Sequence, residues 1–388
     1  MTTSDSPTPG HVVIVGGGVA GLEALLALQA LAGDRVDMTL VSQHDWFIDR
    51  PVTVAEPFGL ASAARHSVPD IVAERGARFV GATVVAVDAE AHRVSCADGT
   101  ELGFDTLILA PGARLSAPLA DAIAFGLEGS IRAIGEMLDR LRRGEAHSVA
   151  FVAPSTTGWL LPLYELALMT ARELARSNVE GVQLRLLSPE DRPLALFGDQ
   201  GSQSVSRLLS AAGIEFVGST ANAVAADDVI TLPLLRGPEL AGIPTTQPDG
   251  FVPVDEHGRV RGLADVYAAG DAVDFPVKQG GLAAQQADAV AEHVAAGYGA
   301  SLDPTPFRPV LRGMLFTGDA PVFMRAEVPR ADPDIASAWY PLWWPPTKIA
   351  GRYLAPYLFA RGEEEELRKP PAGFVDIDIP LAAMTLPG

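Results

Sequence analysis

The sequence predicts an α/β protein built on parallel sheets. Three stretches predict it. His11–Val15 is an apolar run that passes through consecutive glycines into an Ala/Leu-rich helix from about Gly18 to Ala32; Gly33 is the helix stop and Val36–Val41 the next strand. Ser148–Val152, a loop, a helix through about Leu174 and the strand Val182–Leu187 repeat that order. Val266–Ala269 is a further buried strand that ends on Gly270-Asp271. The order strand, turn, helix, strand implies parallel pairing and a right-handed crossover, because the helix must carry the chain back to the same end of the sheet.

The remaining elements fill in around these. Between Phe79 and Leu109 short strands alternate with turns; Asp98-Gly99 is a hairpin signal, and Thr106–Leu109 is a short apolar strand closed by Ala110-Pro111-Gly112. Gln203–Ala212 reads as a helix and Ile214–Val217 as a strand. A last helix runs from about Gly281 to Ala295. From Ser301 onward the chain is rich in Pro and aromatic residues, with Trp339, Trp343 and Trp344 close together and an acidic run at Glu363–Glu366.

Composition narrows the function classes. The formal net charge of -19 argues against nucleic acid, which requires clustered Lys and Arg, and against anionic membrane surfaces. The single cysteine, Cys96, cannot form an internal disulfide, structural or redox-active. The polar segment Met1–Gly10 lacks the basic start and apolar stretch of a signal peptide, and no run reaches the roughly 18 apolar residues of a membrane span. The expected location is therefore the cytoplasm. The histidines show no metal-ligand spacing.

The first turn carries the strongest chemistry. Gly16, Gly18 and Gly21 form G-x-G-x-x-G, with Val19 and Ala20 completing the turn. Gly16 permits the tight turn, Gly18 lets a pyrophosphate approach the backbone, and Gly21 lets the helix pack closely on the strand. The helix N-terminus offers free N–H groups and a partial positive charge to phosphates. A strand before and a helix after make this a Rossmann-type turn, against the plainer reading of a helix entry with no ligand. One feature departs from that pattern. An acidic residue normally stands about 20 residues after the glycines to hold ribose hydroxyls, and here the second strand ends in Ser42-Gln43. Ser42 offers one hydroxyl in place of a carboxylate; Asp45 is a nearby substitute or a simple turn residue.

Thr106–Gly112 and Val266–Asp271 are the second and third motifs. In this order the three motifs resemble the pyridine nucleotide-disulfide oxidoreductases, flavoproteins with two dinucleotide-binding domains. The resemblance implies two Rossmann-like domains and a C-terminal domain. The FAD domain is discontinuous, about residues 1–128 and 246–300. A NAD(P)-like domain, 129–245, is inserted, and residues 301–388 form an interface or lid. It implies that Asp271, with Gly270, holds the FAD ribityl chain. Ala110, Pro111 and Gly112 belong to the same site, and Gly281 and Leu282 start a helix aimed at the flavin pyrimidine, where its dipole would stabilise the reduced flavin. Lys278 adds a positive charge there or is a solvated loop lysine.

The resemblance covers about residues 11 to 325 and is closest to the branch of sulfide:quinone oxidoreductases, flavocytochrome c sulfide dehydrogenases and type II NADH dehydrogenases. Phe47–Gly59, with Arg50 and Pro51, resembles that branch's loop beside the flavin. Leu232–Pro238, Gly250–Asp255 and Lys278–Gly281 resemble its recurrent segments. Glu165 stands where type II NADH dehydrogenases place a glutamate between nicotinamide and flavin; the alternative is an ordinary helix glutamate. The sulfide:quinone and disulfide-reductase mechanisms need a cysteine pair, which this chain lacks.

The second nucleotide unit is degenerate. Its loop, Ala153–Trp159, has one glycine, so phosphate would rest on the helix N-terminus with Ser155, Thr156 and Thr157. Glu190 and Arg192 are candidates for an adenosine ribose or its phosphate. The expected activity is electron transfer from NAD(P)H through FAD to a small acceptor such as a quinone, starting with hydride delivery to the flavin. The alternatives are direct oxidation of a small substrate without nicotinamide, or a flavin-binding partner or sensor protein without turnover. Partners are then a small-molecule donor and acceptor. Trp339, Tyr340, Trp343 and Trp344, with Lys348 and Arg352, read as a dimer interface or a lid over the flavin, in preference to a membrane anchor, because Pro341, Pro345 and Pro346 spoil a helix there.

Overall fold

The structure is a computed structural model that describes residues 9–154, 158–219, 225–327, 335–338 and 341–361; of 335–338 only the backbone is used. Ser155, Thr156, Thr157, Trp339, Tyr340 and the Glu363–Glu366 run lie outside the described residues.

Gly10–Val15 is the centre of the first sheet. It pairs in parallel with Val36–Ser42 on one side and with Thr106–Leu109 on the other. Val266–Ala268 pairs with Thr106–Leu109, and Arg78–Gly81 with Val36–Ser42, again in parallel. One edge strand of this sheet thus comes from far along the chain. The intervening chain builds a second five-stranded parallel sheet. Ser148–Val152 is its centre, flanked by Gln183–Leu187 and Asp228–Thr231, with Ile214–Val217 and Ile123–Ala124 at the edges. A two-stranded antiparallel ribbon, Arg114–Ser116 with Leu234–Arg236, ties the passage into the second unit to the passage out of it. The α/β class and the two Rossmann-like sheets match the sequence expectation.

The helix Val19–Ala32 is apolar on nearly every side, and residues Ala20 to Leu28 are buried. A helix apolar all round must be covered all round. Here the sheet covers one side and the Ala-rich helix Gly280–Gly297 another, whose small side chains allow close approach. The turns between Val84 and Gly103 form a three-stranded antiparallel sheet, with Gly99 at φ +86° in its hairpin.

Three details differ from the sequence reading. The helix read as Gln203–Ala212 begins at Gly198. Its first turn, Gly198-Asp199-Gln200-Gly201, reads as loop, yet it packs so tightly that a Cβ on Gly201 would lie 2.6 Å from Phe197 Cβ. The last long helix starts at Gly280, one residue early, because the Gln279 side chain caps it by accepting the Leu282 N–H at 2.8 Å. The Pro- and aromatic-rich tail contains an antiparallel sheet, Val310–Leu315, Val322–Glu327 and Ile335–Ala338, followed by the short helix Leu354–Phe359. Among the described residues no helix is long and apolar enough to cross a membrane.

Candidate active site

The first turn adopts the geometry its glycines permit. Gly16 has φ +111°, in the region that favours glycine, and its N–H donates to Val41 O at 2.7 Å. A Cβ on Gly21 would sit 1.8 Å from Gly16 O, so the helix can lie this close only with glycine there. A Cβ on Gly18 would meet nothing within 4 Å, so its face is open. The second motif is stitched to the first: Ala110 N donates to Val15 O at 2.7 Å, and a Cβ on Gly16 would stand 2.1 Å from Ala110 O. The third motif arrives from the far end of the chain. Gly270, at φ +79°, leaves only 2.9 Å between its would-be Cβ and the Ala20 Cβ. Its N–H donates to Gln286 Oε1 at 2.7 Å, which fixes the Gly270-Asp271 turn against the last long helix.

Between the two sheets lies a cavity of 690 Å³. Val19, Arg50, Pro51, Glu165, Asp271 and Lys278 line it. Gly16, Gly18, Ala20, Gly21, Gly270, Gly281 and Leu282 stand behind or beside that lining, as do Ala110, Pro111 and Gly112 at the end of their strand. Ser42 is buried, and its hydroxyl is used on its own loop, donating to His44 O at 2.9 Å and accepting from His44 N at 3.1 Å.

Lys278 is buried and is not a solvated loop lysine. Its Nζ lies 3.7 Å from the Phe251 ring centroid and donates to Val273 O. Burial pulls its ammonium down to about 8, against the carboxylates of Asp271, Asp274 and Asp249. Burial also raises the Asp271 carboxyl, opposed by the Lys278 and Arg50 charges. The cavity therefore holds an acid and a base whose ionisation depends on each other.

Glu165 is more than an ordinary helix glutamate. It is buried, its Oε1 accepts from Phe316 N at 2.8 Å and from Lys348 Nζ, and its Oε2 is buried without a hydrogen-bond partner among the described residues. Burial raises Glu165 and lowers Lys348, each opposed by the other's charge. Lys348 is buried in this pair, 4.0 Å from the Phe316 ring centroid, which is incompatible with a solvent-facing membrane anchor. Trp343 is buried edge-on to Phe323 and donates to Thr347 O at 3.0 Å; Trp344 meets Phe359.

Sequence reasoning missed Lys348 and Gln279. Lys348 is 183 positions from Glu165, and nothing local marks the pairing. Gln279 carried a signal, a polar side chain directly before a helix. Besides capping that helix, it donates from Nε2 to Arg312 O at 3.1 Å in the cavity wall.

The corresponding turn in the second sheet is occupied by protein. Gly158, at φ +99°, donates its N–H to Pro276 O at 3.0 Å, which pins the loop to the first unit. Trp159 meets Phe197 edge-on at 5.9 Å and lines the cavity with Leu160, Leu161 and Pro162. Glu190 is not available to a ribose. It accepts from Tyr164 Oη at 2.8 Å, Ser188 Oγ at 3.1 Å and Ala195 N at 3.0 Å. Arg192 is paired with Asp199.

Two parallel sheets, a glycine-lined first turn and an inter-sheet cavity define a protein of the double dinucleotide-domain class. The pyridine nucleotide-disulphide oxidoreductase family model matches residues 10–239, and the chain belongs to that family. Among curated proteins it is 32% identical over 126 residues to an NADH dehydrogenase-like protein of Mycobacterium tuberculosis, covering 30% of each chain. It is 26% identical over 213 residues to the sulfide-quinone reductase of Aquifex aeolicus, covering 51% of this chain and 47% of that one. The chain thus spans from under a third to under half of these relatives' length. Among solved structures, the sulfide:quinone oxidoreductase of Aquifex aeolicus superimposes with a TM-score of 0.77 at 19% identity, covering 85% of this chain and 87% of the other.

Proposed function

We propose that the protein is an FAD-dependent oxidoreductase. The observation that carries this reading is the contact between Ala20 and Gly270, which brings the open Gly18 turn and Asp271 to one place. The residues suit the cofactor. The open face at Gly18 and the uncapped N-terminus of Val19–Ala32 suit a pyrophosphate, and Asp271 offers a carboxylate to a polyol chain. Bound FAD would supply two-electron redox chemistry that no side chain offers. The chain's own residues bind, exclude water and set charge. Lys278 places a cation by the Asp271 turn, and the buried Glu165–Lys348 pair holds a proton-exchanging group in the cavity wall.

For the substrate we favour direct entry of a small, largely apolar molecule, such as a quinone-like acceptor or a small reduced donor, over use of NAD(P)H. The engaged Glu190 and Arg192, with Trp159, Leu161 and Pro162 where a second dinucleotide would lie, support this preference. NAD(P)H as donor and a quinone as acceptor is the second reading. It is supported by the complete parallel order of the second sheet and by the NADH dehydrogenase-like relative.

The test is the absorbance spectrum of the purified protein before and after anaerobic NADH or NADPH. A flavin band that stays unchanged supports the favoured reading, and bleaching of that band establishes the second. Colourless folded protein that refuses added FAD removes both.

A further inference from the structure

The segment 341–361 runs along the cavity as a strap. It places Lys348 in the cavity wall against Glu165. It lays Ile349 over Gly280, where a Cβ on the glycine would stand 3.4 Å from Ile349 Cγ1. Moving the strap therefore opens the cavity.

Two carboxyl groups lie under the strap's far end. Glu23, on the helix Val19–Ala32, is fully buried. Its Oε1 accepts from Tyr353 N at 2.7 Å and its Oε2 from Leu354 N at 2.8 Å, so it caps the short strap helix Leu354–Phe359. The strap is closely fitted here: a Cβ on Gly351 would be 2.4 Å from Glu23 Oε2. Asp288, on the helix Gly280–Gly297, is hydrogen-bonded through its side chain to the Glu23 carboxyl, and its Oδ1 is buried without a partner. Two ionised carboxylates are both acceptors, so a hydrogen bond between them requires a proton.

We propose that Glu23 and Asp288 share one proton, that this proton latches the strap across the cavity, and that its loss to solvent frees the strap. The groups facing Asp288 come from every element packed on it: Glu23 from the first long helix, Arg352 and Tyr353 from the strap, and Glu292 from its own helix. Arg352 favours ionisation of Asp288, but it also pairs with Glu292 at 3.2 Å. Burial raises both carboxyls, and the charge of Glu23 raises Asp288 further. A raised acid stabilises the closed state at low pH, and that stabilisation is lost as pH climbs through the raised value, above the ordinary carboxylate range. The strap is also fastened at the surface by Glu74, which accepts from Tyr357 Oη at 2.7 Å and from Arg361. Glu74 is held low by these partners and stays ionised throughout.

The experiment is amide hydrogen exchange on the full chain, following Tyr353 and Leu354, with protection expressed relative to the intrinsic rate at each pH. Between about pH 5 and about pH 9, protection in the wild type falls roughly tenfold per pH unit once the shared proton begins to leave. Asp288→Asn donates an amide hydrogen to Glu23 at every pH, so its protection stays flat. Glu74→Gln lowers protection at all pH values and keeps the step, and it serves if Asp288→Asn does not fold. A wild-type protection that ignores pH overturns the proposal, as does a step that survives in Asp288→Asn or disappears in Glu74→Gln. The readout needs no ligand, so it stands whatever the cavity binds.

Discussion

In the first parallel sheet the turn after Val15 is bare backbone, with the open face of Gly18 at its tip. In the second sheet the turn after Val152 leads to Gly158, which bonds to Pro276, and to Trp159, which packs on Phe197. The strand arrangements match position by position, with a central strand, two neighbours and two edges, all parallel. Topology therefore sets where a turn lies, and the residues at the turn set whether it stays open to a ligand. Charge follows the same division. In the second sheet Glu190 and Arg192 are consumed by internal partners, whereas Asp271 and Lys278 of the first unit face the cavity.

The largest expected effect comes from the first turn, where two glycines do different work. Gly18→Val has room for its side chain and a backbone any residue adopts, so the protein should fold normally and lose all flavin absorbance. Gly21→Ala pushes a methyl into Gly16 O and should cost about 3 kcal/mol by chemical denaturation. If Gly18→Val keeps its flavin, the contrast between an open and a filled turn is broken.

Next in size is the pair that bridges the second unit to the strap. Glu165→Gln leaves the Lys348 ammonium buried without its counter-charge and should destabilise by ~3–5 kcal/mol. Adding Lys348→Met should recover most of that loss in a double-mutant cycle.

A smaller effect is expected at Asp49, in the loop between the sheets, whose carboxyl burial raises to about 6. Because its folded value exceeds the unfolded one, its ionisation destabilises the folded state near neutral pH. Asp49→Asn should therefore gain ~2 kcal/mol near pH 7, and the gain should vanish below about pH 4. Smallest is Tyr164→Phe, which removes the hydroxyl that donates to Glu190 and accepts from Leu194 N. It should cost ~1 kcal/mol in a denaturant titration and leave flavin content unchanged. A flavin loss there would mean that the two turns are coupled.

The sheets were legible because their signals are local. His11–Val15 with Gly16, Gly18 and Gly21 is a contiguous pattern, and each glycine has a steric reason visible at short range. Gly270-Asp271 was legible because a buried strand ends there. What escaped depends on distant contacts. Gly198–Gly201 looks like a loop and is helical only because Phe197 fits against the bare Gly201 backbone. The buried state of Lys278 comes from Phe251 and Val273, and that of Lys348 from Glu165 and Phe316. A charged residue in a sequence does not reveal whether water or a ring will surround it. Glu190 was read as a ribose ligand because its place after a strand suits that role, but Tyr164, 26 positions earlier, takes it.

The Val266–Ala268 strand has a consequence for the newly made chain. All five strands of the second sheet leave the ribosome before it does, so that sheet can close early. The apolar strand Thr106–Leu109, buried in the finished protein, must wait with one edge unpaired until more than 150 further residues have been made. Slow or interrupted translation in that interval exposes a sticky edge, and the nascent protein then depends on chaperones to reach its mature form.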